Sequence, residues 1–217
     1  MNKHIMNFGG YPICLFQTNK IPTEKNLNIL RKSSKKIFQD NKPYEVSGFN
    51  YSSKFKLSDD SHIFKNKKLK NIEKILLDCY EDYVNNILQI KNEFYICNSW
   101  CTLQKKGEFH SSHTHPNHIF SAVYYAKAQK SSLIFHLERS RIQENFHFDY
   151  EIKEYNIYNS TSWFVEVNSG DVIIFPGQLK HGSSVCENDE RIIVGSSLFI
   201  KGKIGYEEMY SDINLKV

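Results

Sequence analysis

The chain has little that would suit it to a membrane, to secretion or to nucleic acid. No apolar run approaches the roughly 18 residues that a membrane-spanning helix requires, and the N-terminus lacks a basic segment followed by an apolar core. These absences predict a soluble, cytoplasmic protein with no membrane partner, in the host cytoplasm if the source is viral. Excess charge of one sign is also missing: 28 Lys and Arg stand against 24 Asp and Glu, a formal +4. That excess is too mild and too evenly spread to predict a nucleic-acid partner, and the lysine-rich piece from Lys65 to Lys70 reads as the solvated start of a helix. The five cysteines, at 14, 79, 97, 101 and 186, form no close CxxC pair, which argues against a zinc knuckle and against a disulfide scaffold. Cys97 and Cys101 are separated by about 13 Å if they lie on one strand, too far to bind one metal. No G-x-S-x-G elbow is present, so Ser/His/Asp hydrolysis has no support.

What is present divides the 217 residues into two textures within a single expected domain. In the first part, residues 1–92, Tyr11 to Gln17 is a short apolar strand candidate. Pro22-Thr23-Glu24 then opens a stretch with Leu27, Leu30, Ile37 and Phe38 at roughly helical spacing. Gly48 to Phe55 is polar and aromatic and reads as loop or edge strand. From Asn66 to about Ile90 the series Leu69, Ile72, Ile75, Leu76, Tyr80, Tyr83, Val84 and Leu88 fits an amphipathic helix. After Lys91 short β-type runs replace it: Phe94 to Leu103, Ile119 to Ala126, Ser132 to Leu137, Trp163 to Val167, Asp171 to Phe175 and Ile192 to Ile200. Reversals fall at Asn168-Ser169-Gly170-Asp171 and Pro176-Gly177. Residues 93–205 are therefore expected to be a β sandwich or barrel, mainly β overall, with two N-terminal helices packed outside. Arg141 to Ser160, long, polar and aromatic, reads as a lid or insertion. Most aromatics, Trp100 and Trp163 included, read as core.

Histidine carries the chemistry. Four of the nine fall between His110 and His118, within them His113-Thr114-His115-Pro116, and His181 and Arg191 follow much later. Imidazole binds first-row divalent metals through a neutral ring nitrogen, and rings at i and i+2 of a strand share a face, so one strand could supply two ligands and a distant strand the third. Gly107 precedes the HxH by five residues; Gly170 is followed after five by Pro176 and then by His181. These are spacings of two β-hairpins delivering ligands to a barrel mouth. Three imidazoles and a late arginine are what a mononuclear iron site with an anionic co-substrate would need.

The run from Asn98-Ser99-Trp100 through Gly107, the HxH, Ser121-Ala122-Val123-Tyr124-Tyr125, Gly170 to Pro176, His181 and Arg191 resembles the Fe(II)/2-oxoglutarate-dependent oxygenases. Within them it is most similar to the prolyl-hydroxylase-like branch and to an oxygenase family common in bacteria and phages. The resemblance implies a double-stranded β-helix, a jelly-roll or cupin-like barrel, with Fe(II) and 2-oxoglutarate as cofactors and an unidentified primary substrate, a peptide side chain or a small metabolite, hydroxylated with release of succinate and carbon dioxide. It implies that His113, His115 and His181 hold the metal, His115 standing where the family usually has a carboxylate. Arg191 would bind the far carboxylate of the co-substrate through its guanidinium fork, with Tyr125, Asn98 and Ser121 also on the cofactor-binding side. An amide such as Asn98 pointing into an apolar barrel would need a partner, which a bound carboxylate or water could provide.

Two departures stand out. An HxH leaves the site one negative charge short of the usual two-histidine, one-carboxylate triad, with Glu108 or Glu138 as acids that could compensate. The hydroxyl often found two or four residues after the arginine is replaced by Ile193 and Gly195, leaving Ser196 or Ser197 for that role. A cupin-type metal enzyme that ignores 2-oxoglutarate and a non-catalytic metal-binding barrel are the alternatives, and oligomerisation stays open.

Overall fold

The computed structural model describes residues 1–8, 10–39, 44–46, 49–140, 144 and 150–216. The short β-type runs of the sequence become strands in every case expected. They are β6 (Glu93–Lys105), β8 (Phe120–Lys127), β9 (Ser131–His136), β10 (Ser162–Val167), β11 (Asp171–Pro176) and β13 (Glu190–Ile204), with β2 (Tyr11–Gln17) near the N-terminus. The segment carrying His181 is also a strand, β12 (Lys180–Ser183). A large, mostly antiparallel sheet runs β1 (Asn2–Phe8), β2, β11, β8, β13, β6, β5 (Phe49–Ser58), β3 (Ser34–Gln39), and a small one runs β10, β9, β12. Short strands β4 (Tyr44–Val46), β7 (Glu108–Phe109) and β14 (Ile213–Leu215) attach to β5 and β13.

Alternation sorts the large sheet into two faces. One face, with Cys14, Phe16, Cys101, Leu103, Tyr124, Val172 and Val194, packs on helices α1 (Glu24–Ser33) and α2 (Lys70–Asp82). The other, with Ile13, Leu15, Tyr125, Ile173, Phe175 and Ile193, meets Leu133, Phe135, Val165 and Val167 of the small sheet. The result is a mainly β jelly roll whose inner core lies between two facing sheets and whose helices cover one outer face. Each fully buried Leu or Ile of the helix layer, such as Ile72 or Leu76, contributes about 1.5–3 kcal/mol by burial.

Helix α1 starts where expected, with the Thr23 side chain accepting the Asn26 N–H. It ends sooner. The Ser33 and Ser34 hydroxyls both donate to the Leu30 carbonyl, and the chain turns into β3, where Ile37 and Phe38 are exposed rather than continuing a helical stripe. The second helix is bracketed by a 3-10 turn (Lys67–Leu69) and a π turn (Tyr83–Ile87), so the stretch from Asn66 to Ile90 is helical in three manners. Residues 49–55 of β5 each pair on one side only, with β4, β7 and β3 in turn, and only Lys56 and Leu57 pair with β6 as well, so the segment after Gly48 is strand of the edge kind rather than loop, Gly48 itself lying outside the described residues. Residues 141–143 and 145–149 of the expected lid also lie outside the described residues. Among the described residues no helix is long and apolar enough to cross a membrane.

Candidate metal and co-substrate site

Residues 113 and 181 meet as an antiparallel bridge that extends the small sheet. His115 lies beyond it in irregular chain, so the expectation that one strand face presents both rings of the HxH is not met. The loop brings His115 in instead. The Nε2 atoms of His113 and His115 are 3.2 Å apart, and the donor atoms of His113, His115 and His181 all lie within 4.8 Å of one another.

The rings are aimed by backbone. His113 Nδ1 is 2.9 Å from the Ser111 carbonyl and His181 Nδ1 is 2.8 Å from the Leu179 carbonyl. A carbonyl can only accept, so these Nδ1 atoms carry the ring proton and each Nε2 lone pair is left facing the common point. Burial keeps the imidazoles neutral, pushing His115 down to about 3 and His181 well below the usual range. Neutral rings with fixed tautomers and converging lone pairs form a donor set that fits a first-row divalent cation. The space at the cluster is about 40 Å³, also lined by Trp100, Thr102, Val123, Leu133 and Ile193, room for an ion and a water molecule.

No carboxylate joins the cluster among the described residues. Glu108 accepts the Lys105 backbone N–H and faces Lys54, and Glu138 lines a separate cleft of about 580 Å³ with Ser112, Thr114 and Lys180. Neither compensates for the histidine at 115.

Arg191 is 1% exposed, and its partners are all neutral. Its Nε–H donates to Gln104 Oε1 at 2.7 Å, Nη1 to Ser184 Oγ at 3.1 Å, and Nη2 to Ser183 Oγ at 3.0 Å and the Ser184 carbonyl at 2.5 Å. Four of its five N–H groups are therefore engaged, so the open guanidinium fork expected from sequence is not what the barrel presents. A single Nη1–H remains. Burial lowers the Arg191 pKa, and no carboxylate acts in the opposite direction. Beside it the Tyr125 hydroxyl is buried with no hydrogen-bond partner among the described residues.

Register separates the other two cofactor-side residues from this pair. Arg191 stands opposite Gln104 and Tyr125 opposite Ile193, whereas Asn98 and Ser121 both stand opposite Ser197. Six residues of strand cover about 20 Å, so Asn98 and Ser121 belong to the far end of the barrel and cannot hold the same carboxylate as Arg191. Ser121 is engaged there by His118, its hydroxyl 2.7 Å from Nε2, while Asn98 Oδ1 is buried without a partner. Ser196 faces the helices, its hydroxyl 3.2 Å from that of Tyr80. Of the two serines considered after Arg191, only Ser197 turns inward.

Sequence reasoning missed three residues. His110 lines the same cavity, stacked on His113 with ring centroids 4.0 Å apart and 18° between planes, and burial pushes it down to about 2. Lone pairs of stacked rings run in parallel planes, so His110 cannot share an ion with His113. Trp100, expected to be core, tilts over His115 at 5.2 Å. Gln104 is the third, reaching the site through its pairing with Arg191.

Residues 98–196 match a protein-family model described as "Putative 2OG-Fe(II) oxygenase". Over that stretch, 99 of the 217 residues, the chain is similar to the Fe(II)/2-oxoglutarate-dependent oxygenases. Its fold is similar to that of an oxidoreductase of the 2OG-Fe(II) oxygenase family from Burkholderia pseudomallei, with a TM-score of 0.51, 11% identity, and 81% of this chain and 78% of that one covered. It is also similar to the non-heme alpha ketoglutarate dependent epimerase SnoN from nogalamycin biosynthesis, with a TM-score of 0.56, 8% identity, and coverage of 89% and 79%. No curated protein sequence matches the chain.

Proposed function

We propose that the protein is an Fe(II)/2-oxoglutarate-dependent oxygenase that hydroxylates a second substrate, a peptide side chain or a small metabolite, and releases succinate and carbon dioxide from 2-oxoglutarate. In this reading His113, His115 and His181 hold the iron, and the single free N–H of Arg191 acts with the Tyr125 O–H as a two-point clamp on the far carboxylate. Bound iron and 2-oxoglutarate would supply the oxidising chemistry: one oxygen atom of dioxygen goes to the substrate and the other to succinate. The protein's part is to fix the imidazole tautomers, to supply a buried cation where the diacid must end, and to exclude water with Trp100, Val123 and Leu133.

The observation that carries the reading is Arg191. A fully buried guanidinium with only neutral partners is costly, and the unpartnered Tyr125 hydroxyl beside it adds a second orphan donor. An anion that satisfies both removes two penalties at once. Because the present cavity is small, the diacid fits only with lining side chains such as Leu133 and Ile193 displaced.

Anaerobic titration with Fe(II) and 2-oxoglutarate should produce a weak visible charge-transfer band, and turnover should release succinate. Arg191→Ala should raise the 2-oxoglutarate requirement at least tenfold. No band and no succinate from the wild type would reject the reading. The three-histidine donor set favours a cupin-type metal enzyme as the second reading. Calorimetry separates the two, because a cupin of that kind binds metal and ignores 2-oxoglutarate.

A further inference from the structure

Among the described residues, the interior of the barrel holds one fixed cation and no fixed anion at the histidine cluster. Arg191 contributes one positive charge, and His110, His113, His115 and His181 are neutral donors. The nearest acid in sequence, Glu190, turns to the opposite face of β13 and ends on Arg31 and Lys127. Asp171 stands near Tyr125, but its carboxylate accepts the Asn168 N–H in the turn before β11 and is not part of the histidine cluster. Adding a divalent iron and a dianionic 2-oxoglutarate, as the proposed function requires, leaves the assembled site at +1. A triad with a carboxylate in place of His115 would leave it neutral.

A net charge enclosed by Trp100, Val123, Leu133 and Ile193 is poorly screened. We infer that His115 makes this site select a monoanionic primary substrate, one that presents a carboxylate or a comparable anionic group beside the cluster. The side of the cluster where the His118 ring stands 5.4 Å from that of His115 and lies over Gly177 is the one from which such a group would approach. Arg191 is not its receptor, because the guanidinium is committed to the co-substrate. This inference rests on the proposed metal and 2-oxoglutarate roles.

Acetate and acetamide, nearly equal in size and differing by one charge, are the probes. The protein is loaded anaerobically with Fe(II) and saturating 2-oxoglutarate, and each probe is titrated while the charge-transfer band is followed. Acetate should shift the band saturably and at least tenfold more tightly than acetamide. In His115→Asp, which returns the missing charge, the preference should fall to near parity while the band itself persists. The persisting band shows that the variant still folds and loads. Equal affinity of the two probes in the wild type overturns the inference, as does an undiminished preference for acetate in His115→Asp. Loss of the band on adding acetate also overturns it, since acetate would then be displacing 2-oxoglutarate. If no band forms at all, both the proposed function and this inference fail, an outcome distinct from the other three.

Discussion

His113 and His181 are cross-strand partners: each donates its backbone N–H to the other's carbonyl, at 2.8 and 2.9 Å. This pair of bonds fixes the distance between two segments 68 residues apart, and the Nδ1–H contacts to Ser111 and Leu179 then fix the rings. Ligand geometry is thus set by backbone, so replacing an imidazole should remove the metal without unfolding the barrel. His181→Gln and His113→Gln should each lose at least tenfold in Fe(II) affinity while keeping the wild-type circular dichroism spectrum. Metal analysis of the purified variants checks this, and full iron occupancy in either would remove that histidine from the ligand set.

Gln104 governs what Arg191 can do. Its Oε1 accepts from Arg191 Nε, and its Nε2 donates to Ser183 Oγ, the same hydroxyl that receives Arg191 Nη2. Gln104→Leu leaves a buried guanidinium N–H without an acceptor, at a cost of about 1–3 kcal/mol, and frees the side chain to rotate. The 2-oxoglutarate affinity should fall at least tenfold, with a smaller effect on the rate at saturation. Gln104→Glu should weaken 2-oxoglutarate further while retaining stability, because the new carboxylate pairs with Arg191 and competes for it. Calorimetric binding constants and urea midpoints decide both; an unchanged affinity in the two variants would mean that Arg191 is not the co-substrate's anchor.

The β core was legible because its strands either alternate in burial, as in Ser131–His136, or are short apolar runs buried on both faces, as in Asp171–Pro176. β1 was not, since Asn2–Phe8 is a largely exposed edge strand whose polar residues carry no period. Ile37 and Phe38 misled for a related reason: they sit at helical distance from Leu27 and Leu30, but the serines at 33 and 34 end the helix first. At the site, the histidines and Arg191 could be read from spacing. Gln104 and Trp100 could not, because Gln104 reaches Arg191 through register across β6 and β13 and Trp100 meets His115 through the path of an irregular loop, neither of which spacing along one strand reveals. The signal that could have found His110 was its membership of the same histidine-rich run, and only the path of residues 111 and 112 turns it inward alongside His113.

Gly195 stands where the family often has a hydroxyl, and the reason is Trp100. A Cβ at Gly195 would lie 2.4 Å from Trp100 Cε2. Since the two residues are register partners on β13 and β6, neither backbone can withdraw without breaking the ladder, and the indole must move. Gly195→Ala should therefore destabilise the fold by about 1–3 kcal/mol and release Trp100 from its place over His115. Urea denaturation and a shift in Trp100 fluorescence, measured in a Trp163→Phe background, test the two halves of this claim. An unaltered emission maximum would show that the indole did not move.

Glu190 ties the first helix to the barrel and sets the acid limb of stability. Its carboxylate is 8% exposed and receives Arg31 at 2.6 Å and Lys127 at 2.7 Å, with Lys105 at 3.4 Å. The Arg31 hydrogen bond, helped by Lys127, holds its pKa down at about 2 from an ordinary 4.5. A carboxyl group whose pKa is lower in the folded state stabilises the protein at pH values above its unfolded pKa, and that contribution disappears as pH falls toward the folded one. Glu190→Gln should cost roughly 1.5–3 kcal/mol at pH 7, the range for hydrogen bonds to a charged group. Wild type and variant should converge as pH drops from about 4.5 toward 2. Urea denaturation across that interval measures the gap directly; a gap that stays constant from neutral pH to pH 2 would mean that packing, not the ionised carboxylate, is what Glu190 contributes.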